Sequence, residues 1–466
     1  MHLVTDFAAK EKYSYHEGFG NHFRSEAVPG AVPIPNNHAQ RPPLGLRTEK
    51  MSGTSLVGPR SHNLYTYMYR IESSHEHHEF TQWNHHLEYA NPPTAKNLTP
   101  NAVSWPTIPW PEKGDWISQR LVGSNGDPQQ KTGLSIWFFN VHNDMDPQTV
   151  FSSLDGEALI APQFGSLDIT TELGKMLVRH NEIAVIPRGI RYRVTLPDGK
   201  PCRGYICELY QGHFRLPELG IIGTTGLANS YDFQIPKASF EGRVEKGPNG
   251  DQIAVANETS DWNIVSRLNT RLWRCSQPTS PFNVVGWQGT LYPYKYDLAR
   301  VDTIANIRYG HADPSVFVVL TAPSFGKAPG TAVIDFACVG PRWQVAEGTY
   351  PLPWFHRNTM QEFVLGIIDD QRLDTPLNDP KADFSPFAAF LNGAMVTHGP
   401  DEKHYQAMKA SDTTKPVMVQ NEGLTFGLFE FECPLYLTDW AMESAKQNSK
   451  RQFSGQFAET KERDGE

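Results

Sequence analysis

The stretch Tyr350-Pro-Leu-Pro-Trp-Phe-His356-Arg-Asn-Thr-Met-Gln-Glu362-Phe-Val-Leu-Gly366 decides how the rest of the chain is read. Apolar residues flank it on both sides, which indicates a strand entering a core rather than a surface loop. Successive side chains of a strand alternate between faces. His356 and Glu362 are an even number of residues apart, so extended chain would point both to one side. A second histidine, His398, follows in Asn392-Gly-Ala-Met-Val-Thr-His398-Gly-Pro400. The chain between allows further strands to return to that face. Two imidazoles and one carboxylate form the ligand set of non-haem Fe(II) oxygenases, which leave positions open for substrate and dioxygen. A histidine and a glutamate at this spacing are, by themselves, more often ordinary polar residues of a β-domain.

The 466 residues suggest two or three domains and bury a large core readily. A net charge of −9 argues against nucleic acid as a partner, because phosphate binding needs basic patches. No run approaches the roughly 20 apolar residues that a membrane-spanning helix needs. The first residues, Met1-His-Leu-Val-Thr-Asp-Phe-Ala-Ala-Lys10, lack a charged-then-apolar signal pattern. These features predict a soluble, cytoplasmic protein. The five cysteines, at 202, 207, 275, 338 and 433, are scattered and odd in number. They fit no Cys-x2-Cys zinc spacing and suit a reduced state.

Residues 1 to about 64 are rich in Pro, Gly, Asn and His; Pro29, Pro33, Pro35, Pro42 and Pro43 forbid long regular elements there. Such a segment is expected to drape over neighbouring structure or another subunit. Leu64–Ile71 alternates bulky and polar residues, a strand signal. The segment 72–86 holds His75, His77, His78, His85 and His86 beside Glu76 and Glu79. It has no apolar framework to orient ligands, so it reads as a solvated loop rather than a metal site. From about 130 to 300 short strands separated by Pro197-Asp-Gly199 and Pro248-Asn-Gly250 turns indicate a β-sandwich. Ser260 to Arg271 is read as a helix near the junction. Strands resume at Ser315–Leu320, Val333–Phe336 and Gly423–Glu430, and Leu437 to about Lys446 reads as a helix. The chain carries no Gly-rich nucleotide fingerprint.

His356-Arg-Asn-Thr-Met-Gln-Glu362 resembles the His-Arg-Asn-Cys-Met-Ser-Glu segment of homogentisate 1,2-dioxygenases, and Thr397-His-Gly-Pro-Asp401 resembles their second ligand segment. The likeness continues through Gly18-Phe-Gly-Asn21, Asn181-Glu-Ile-Ala-Val-Ile-Pro-Arg-Gly189, Gly226-Leu-Ala-Asn229, Ser280-Pro-Phe-Asn-Val-Val-Gly-Trp287 and His311-Ala-Asp-Pro-Ser315. It therefore spans nearly the whole chain. The site is also similar to the broader cupin pattern, with Asn358 in place of that pattern's middle histidine. Pro187-Arg-Gly-Ile-Arg-Tyr192 resembles the second cupin motif without its metal histidine.

The resemblance implies a mainly β fold: an N-terminal β-sandwich domain with an irregular arm (1–300) followed by a C-terminal cupin-like, jelly-roll metal-binding domain (301–466). It implies Fe(II) held by His356, Glu362 and His398, and His311 as the catalytic base. It implies a small aromatic substrate, homogentisate, cleaved with O2 to maleylacetoacetate in tyrosine and phenylalanine catabolism. It also implies a homo-oligomer, a trimer or a hexamer built from trimers. Two positions depart from the family. Asn392 stands where members carry another active-site histidine, and Gln371 where they carry a substrate-contacting tyrosine. Both, with His398, are candidate substrate-binding residues, and both changes bear on specificity more than on metal. A related dioxygenase acting on another dihydroxyaromatic or phenolic metabolite is the alternative. A non-catalytic cupin-like binding protein is the alternative from another class.

Overall fold

The computed structural model describes residues 5, 7, 9–34, 41–55, 62–85, 90–105, 113–219, 228–257, 260–301, 314–328, 330–344, 356–368, 388–396, 398–399, 406–407, 410–419 and 424–447. Strands dominate them. The strands that position the site are β1 (Val103–Trp105), β2 (Arg120–Asp127), β3 (Thr132–Val141), β4 (Glu157–Phe164) and β5 (Cys202–Leu209) in the first part of the chain. β6 (Trp262–Leu268) follows, then β7 (Val318–Pro323), β8 (Ala332–Val339), β9 (Gln361–Ile368), β10 (Ala389–Asn392), β11 (Leu424–Phe431) and β12 (Tyr436–Leu437). One helix, α1 (Asp439–Gln447), closes the described chain.

A six-stranded antiparallel sheet runs β7-β8-β11-β9-β10-β1, and a nine-stranded sheet ends in β4-β5-β3-β2-β12. The boundary expected near residue 300 is thus crossed in both directions. β1, from the first part of the chain, pairs with β10, and β12, from the last, pairs with β2. Trp105 adds to this exchange by donating its indole N–H to the carbonyl of Ala441 in α1, at 2.9 Å.

The two sheets share one core. On β9 the odd positions Phe363, Leu365 and Ile367 are fully buried, and Phe363 packs 5.1 Å from Tyr205 of β5 and 5.7 Å from Trp105. Phe336, Phe429 and Phe363 are direct cross-strand neighbours on this face. Burying such side chains contributes about 1.5–3 kcal/mol each. Alternation then sends the even positions, Glu362 first, to the opposite face. From β4, Gln163 donates its amide to the carbonyls of Gly366 (2.9 Å) and Ala388 (3.4 Å), tying the backbone of β9 to the neighbouring sheet.

Several expectations need correction. Ser260 to Arg271 forms no helix: β6 pairs with the strand Arg271–Gln277. Its run of Ile264 and Val265 favours extended chain. The turn puts Asn269 and Thr270 at φ 52° and 61°, and the Asp155 carboxylate accepts both of their backbone N–H groups. The arm is also more regular than its prolines suggest. Strands at Tyr15–Glu17, Phe23–Glu26 and Arg47–Ser52 pair onto three other parts of the chain, with the prolines between them. The strand expected from 64 to 71 forms at Tyr65–Arg70, and the helix expected from Leu437 forms as α1. All five cysteines are free, four of them buried. No helix among the described residues is long and apolar enough to cross a membrane.

Candidate metal centre

His356 and His398 are held together by backbone before their rings are considered. Each donates its N–H to the other's carbonyl, at 3.0 and 3.1 Å, as an isolated antiparallel bridge. The two rings consequently lie 4.3 Å apart at 65°. Glu362 enters from β9. The strand-parity argument from the sequence is not what joins it to His356, because β9 begins only at Gln361 and His356 lies outside it. A loop, pinned by the Met395 N–H donating to the Asn358 carbonyl at 2.8 Å, brings His356 to the bridge instead.

The three side chains converge. One ligand atom from each lies within 4.8 Å of the others, the one such group among the described residues. His398 Nε2 is 3.1 Å from Glu362 Oε2, and His356 Nε2 is 3.9 Å from Oε1. Asn358 donates to Oε1 at 2.5 Å and Asn392 to Oε2 at 3.1 Å, so each carboxylate oxygen has its own amide donor. Burial alone would push the Glu362 carboxyl up, but His356, His398 and the Asn392 amide outweigh it and hold it far below the usual range. Burial lowers His398, yet the Glu362 carboxylate beside it reverses the shift and raises it.

The donor set fits a divalent transition metal. His398 Nδ1 lies 2.9 Å from the Val396 carbonyl, which fixes the proton there and leaves Nε2 with its lone pair turned to the triad. That Nε2 is buried and has no hydrogen-bond partner, because with the proton on Nδ1 it has none to give to the Glu362 carboxylate 3.1 Å away. Two imidazole nitrogens and an ionised carboxylate oxygen suit Fe(II) with open positions remaining.

Of the other predicted site residues, Asn392 ends β10 directly opposite Glu362. His311 and Gln371 lie outside the described residues. Of the loop histidines at 75, 77, 78 and 85, the first three are exposed and His85 is half-buried; His86 lies outside the described residues. A cavity of about 430 Å³ opens beside that loop, lined by Arg47, Arg70 and Arg191. Glutamates 72 and 76 pair with Arg47, and 49 and 172 with Arg70, so it is no simple anion site.

Sequence reading missed Glu430. It faces Glu362 across β11 and β9, with Asp335 on its other side and Thr321 beyond. Burial, then the charges of Glu362 and Asp335, push Glu430 up to about 8, against the pull of His356. Burial likewise raises Asp335, against a hydrogen bond from Thr321. The available signal was a glutamate between two phenylalanines in a strand whose only other polar residue is Thr425.

Fold and constellation together define a mainly β protein in which two histidines and one carboxylate converge. Two family profiles cover the chain: homogentisate 1,2-dioxygenase N-terminal over residues 14–298 and homogentisate 1,2-dioxygenase C-terminal over 299–461. A homogentisate 1,2-dioxygenase of Emericella nidulans is 42% identical over 448 residues, 95% of this chain and 94% of that one. The chain belongs to the homogentisate 1,2-dioxygenase family and is an enzyme of the dioxygenase class. Among solved structures, a mutant oxalate decarboxylase of Bacillus subtilis is 10% identical, covering 74% of this chain and 80% of its own, at a TM-score of 0.27. A cupin-2 domain protein of Shewanella frigidimarina is 18% identical over 21% of this chain and 83% of its own, at 0.17. Scores this low carry no argument, and the fold rests on the strand ladders themselves.

Proposed function

We propose that this chain is an Fe(II)-dependent dioxygenase that opens the ring of homogentisate with O2 to give maleylacetoacetate. The observation that carries the metal assignment is the convergence of His356, Glu362 and His398 within 4.8 Å, with Glu362 on a strand anchored by Phe363 in the core. Bound Fe(II) supplies a Lewis acid and a path for electrons between an electron-rich ring and dioxygen. The protein's part is to hold the ligands. Asn358 and Asn392 fix the carboxylate, the Val396 carbonyl fixes the His398 tautomer, and the bridge between the two histidines sets their spacing. Both atoms of O2 enter the product and one ring C–C bond breaks. The hydroquinone is itself the reductant, so no external electron donor is needed.

His311 is the base that takes the phenol proton in this reading, and its support is the resemblance of His311-Ala-Asp-Pro-Ser315. His311→Asn keeps its metal and loses turnover by about 10²–10⁴-fold, the usual range for a general base; loss of metal instead would make it a ligand. The homo-oligomer, the cytoplasmic location and the division near residue 300 belong to the same proposal.

The deciding experiment is oxygen uptake by anaerobically Fe(II)-loaded protein with homogentisate, one O2 consumed per ring opened. No uptake from protein shown to hold stoichiometric iron overturns the assignment. A second reading, another dihydroxyaromatic acid as substrate, is favoured by Asn392 and Gln371. One amide hydrogen of Asn392 is already committed to Glu362, which leaves it less free to grip substrate. A panel of hydroquinone acids separates the two readings. Under the second, the double change Asn392→His with Gln371→Tyr improves homogentisate turnover.

A further inference from the structure

Both histidines and both amide donors reach Glu362 from one side. Asn392 ends β10 and His398 follows it, while His356 and Asn358 belong to the segment hydrogen-bonded to that same stretch. Toward β11 the neighbour of Glu362 is Glu430, its direct cross-strand partner. Such partners hold their Cβ atoms about 4.5–5.5 Å apart and share a face. Phe429 and Phe431, on either side of Glu430, are fully buried on the opposite face, whereas Glu430 itself is half-buried. The Glu430 carboxyl therefore borders the space next to the triad. Asp335 stands behind it on β8, and among the described residues no salt bridge engages either carboxyl.

A substrate held over the triad meets this wall on the side where the protein supplies no ligand. A carboxylate placed against this wall finds no cation in it to pair with, and gives up water in a partly desolvated site. A hydroxyl placed there finds a hydrogen-bonding partner instead. A dihydroxyaromatic acid carries both kinds of group, so the wall has something to select.

We infer that Glu430 is a specificity-determining residue that receives one ring hydroxyl of the substrate. The inference rests on the function proposed above and adds a contact to it. Glu430 binds and orients the ring, while His356, Glu362 and His398 hold the metal. The other hydroxyl and the carboxylate are left for the metal side.

The test is a double-mutant cycle between residue and hydroxyl. Zn(II)-loaded wild type, Glu430→Ala and Glu430→Gln are titrated with homogentisate, 2-hydroxyphenylacetate and 3-hydroxyphenylacetate, the last two each lacking one of the hydroxyls. Metal per chain is measured for every preparation. Glu430→Ala is expected to weaken homogentisate about 5- to 100-fold, as for a partly buried hydrogen-bonding group left without its partner. The same change leaves binding of one monohydroxy ligand, the one lacking the contacted group, nearly unaltered. Glu430→Gln, similar in size and able to hydrogen-bond, recovers most of the loss. A merely structural role predicts equal weakening of all three ligands or a fall in bound metal, and either result overturns the inference, as does undiminished homogentisate binding by Glu430→Ala. Oxygen uptake by Fe(II)-loaded wild type is run alongside. If wild type turns over homogentisate and the cycle shows no coupling, this inference alone fails. If wild type neither binds nor consumes homogentisate, the function reading fails and takes the inference with it.

Discussion

Asn392 and Glu362 face each other directly across β10 and β9, and the Asn392 amide donates to Glu362 Oε2 at 3.1 Å. One of the two residues that depart from the family pattern therefore acts on the carboxylate of the triad. A group that orients a metal ligand typically changes metal affinity by 10–100-fold when removed. Asn392→Ala is expected to weaken Zn(II) or Fe(II) binding by about that factor, read as a dissociation constant in competition with a chelator. Unchanged affinity would mean that Asn358 alone suffices to orient the carboxylate.

His398→Ala is expected to remove the metal altogether. The remaining pair, His356 and Glu362, lie 3.9 Å apart at their nearest ligand atoms and have no third donor among the described residues. Metal content per chain, measured after gel filtration, checks it directly. The backbone bridge to His356 does not depend on the side chain, so the far-ultraviolet circular dichroism of the variant should match that of the unaltered protein. Stoichiometric metal in this variant would remove His398 from the ligand set.

How much of this was legible in the sequence depends on the range of the interaction. The strand around Phe363 and the three side chains that converge were readable from local pattern and family likeness. The reason the ligands meet was not. Parity along one strand gave the right pairing of His356 with Glu362 by the wrong route, because the route is a backbone bridge to His398. Helix and strand compete closely in Ser260–Arg271, and what decides is the Asp155 carboxylate closing the Asn269–Thr270 turn, a partner remote in sequence. The row Thr321, Asp335, Glu430, Glu362 and Asn392 requires the register of five strands, which no local window contains.

A pH dependence follows from His213. Its Nδ1 lies 2.8 Å from Glu157 Oε2 and its Nε2 2.7 Å from the Gly53 carbonyl, so both ring nitrogens face acceptors and the ring is held as imidazolium. Burial lowers its pKa, but the Glu157 carboxylate and the two hydrogen bonds outweigh burial and Arg188, and the net shift is upward. A raised folded-state pKa means stabilisation that is complete below the unfolded value of about 6.5. It is lost as pH rises through the folded value. The melting-temperature gap between wild type and His213→Gln should accordingly be widest near pH 6 and narrow toward pH 9. A gap that widens with pH would reverse the sign and exclude the charged ring.

The last prediction concerns the strand that carries the site. Phe363 is fully buried, lying 5.1 Å from Tyr205 and 5.7 Å from Trp105, and its backbone neighbour is Glu362. Removing its ring leaves a cavity where the two sheets meet, and Phe→Ala changes in such positions cost about 3–5 kcal/mol. Phe363→Leu keeps most of the apolar volume and should lose less, with urea midpoints ordering wild type, Leu, then Ala. Metal binding should follow the same order, because β9 is set against the nine-stranded sheet by Phe363 and by the Gln163 amide on Gly366. Gln163→Leu separates the two supports. It leaves the aromatic packing intact and leaves the Gly366 carbonyl without that amide. If metal affinity falls in Gln163→Leu while Phe363→Leu holds it, backbone tethering dominates. If stability falls in Phe363→Ala with metal affinity intact, the triad is positioned by its own loop and bridge, and the core beneath β9 serves the fold alone.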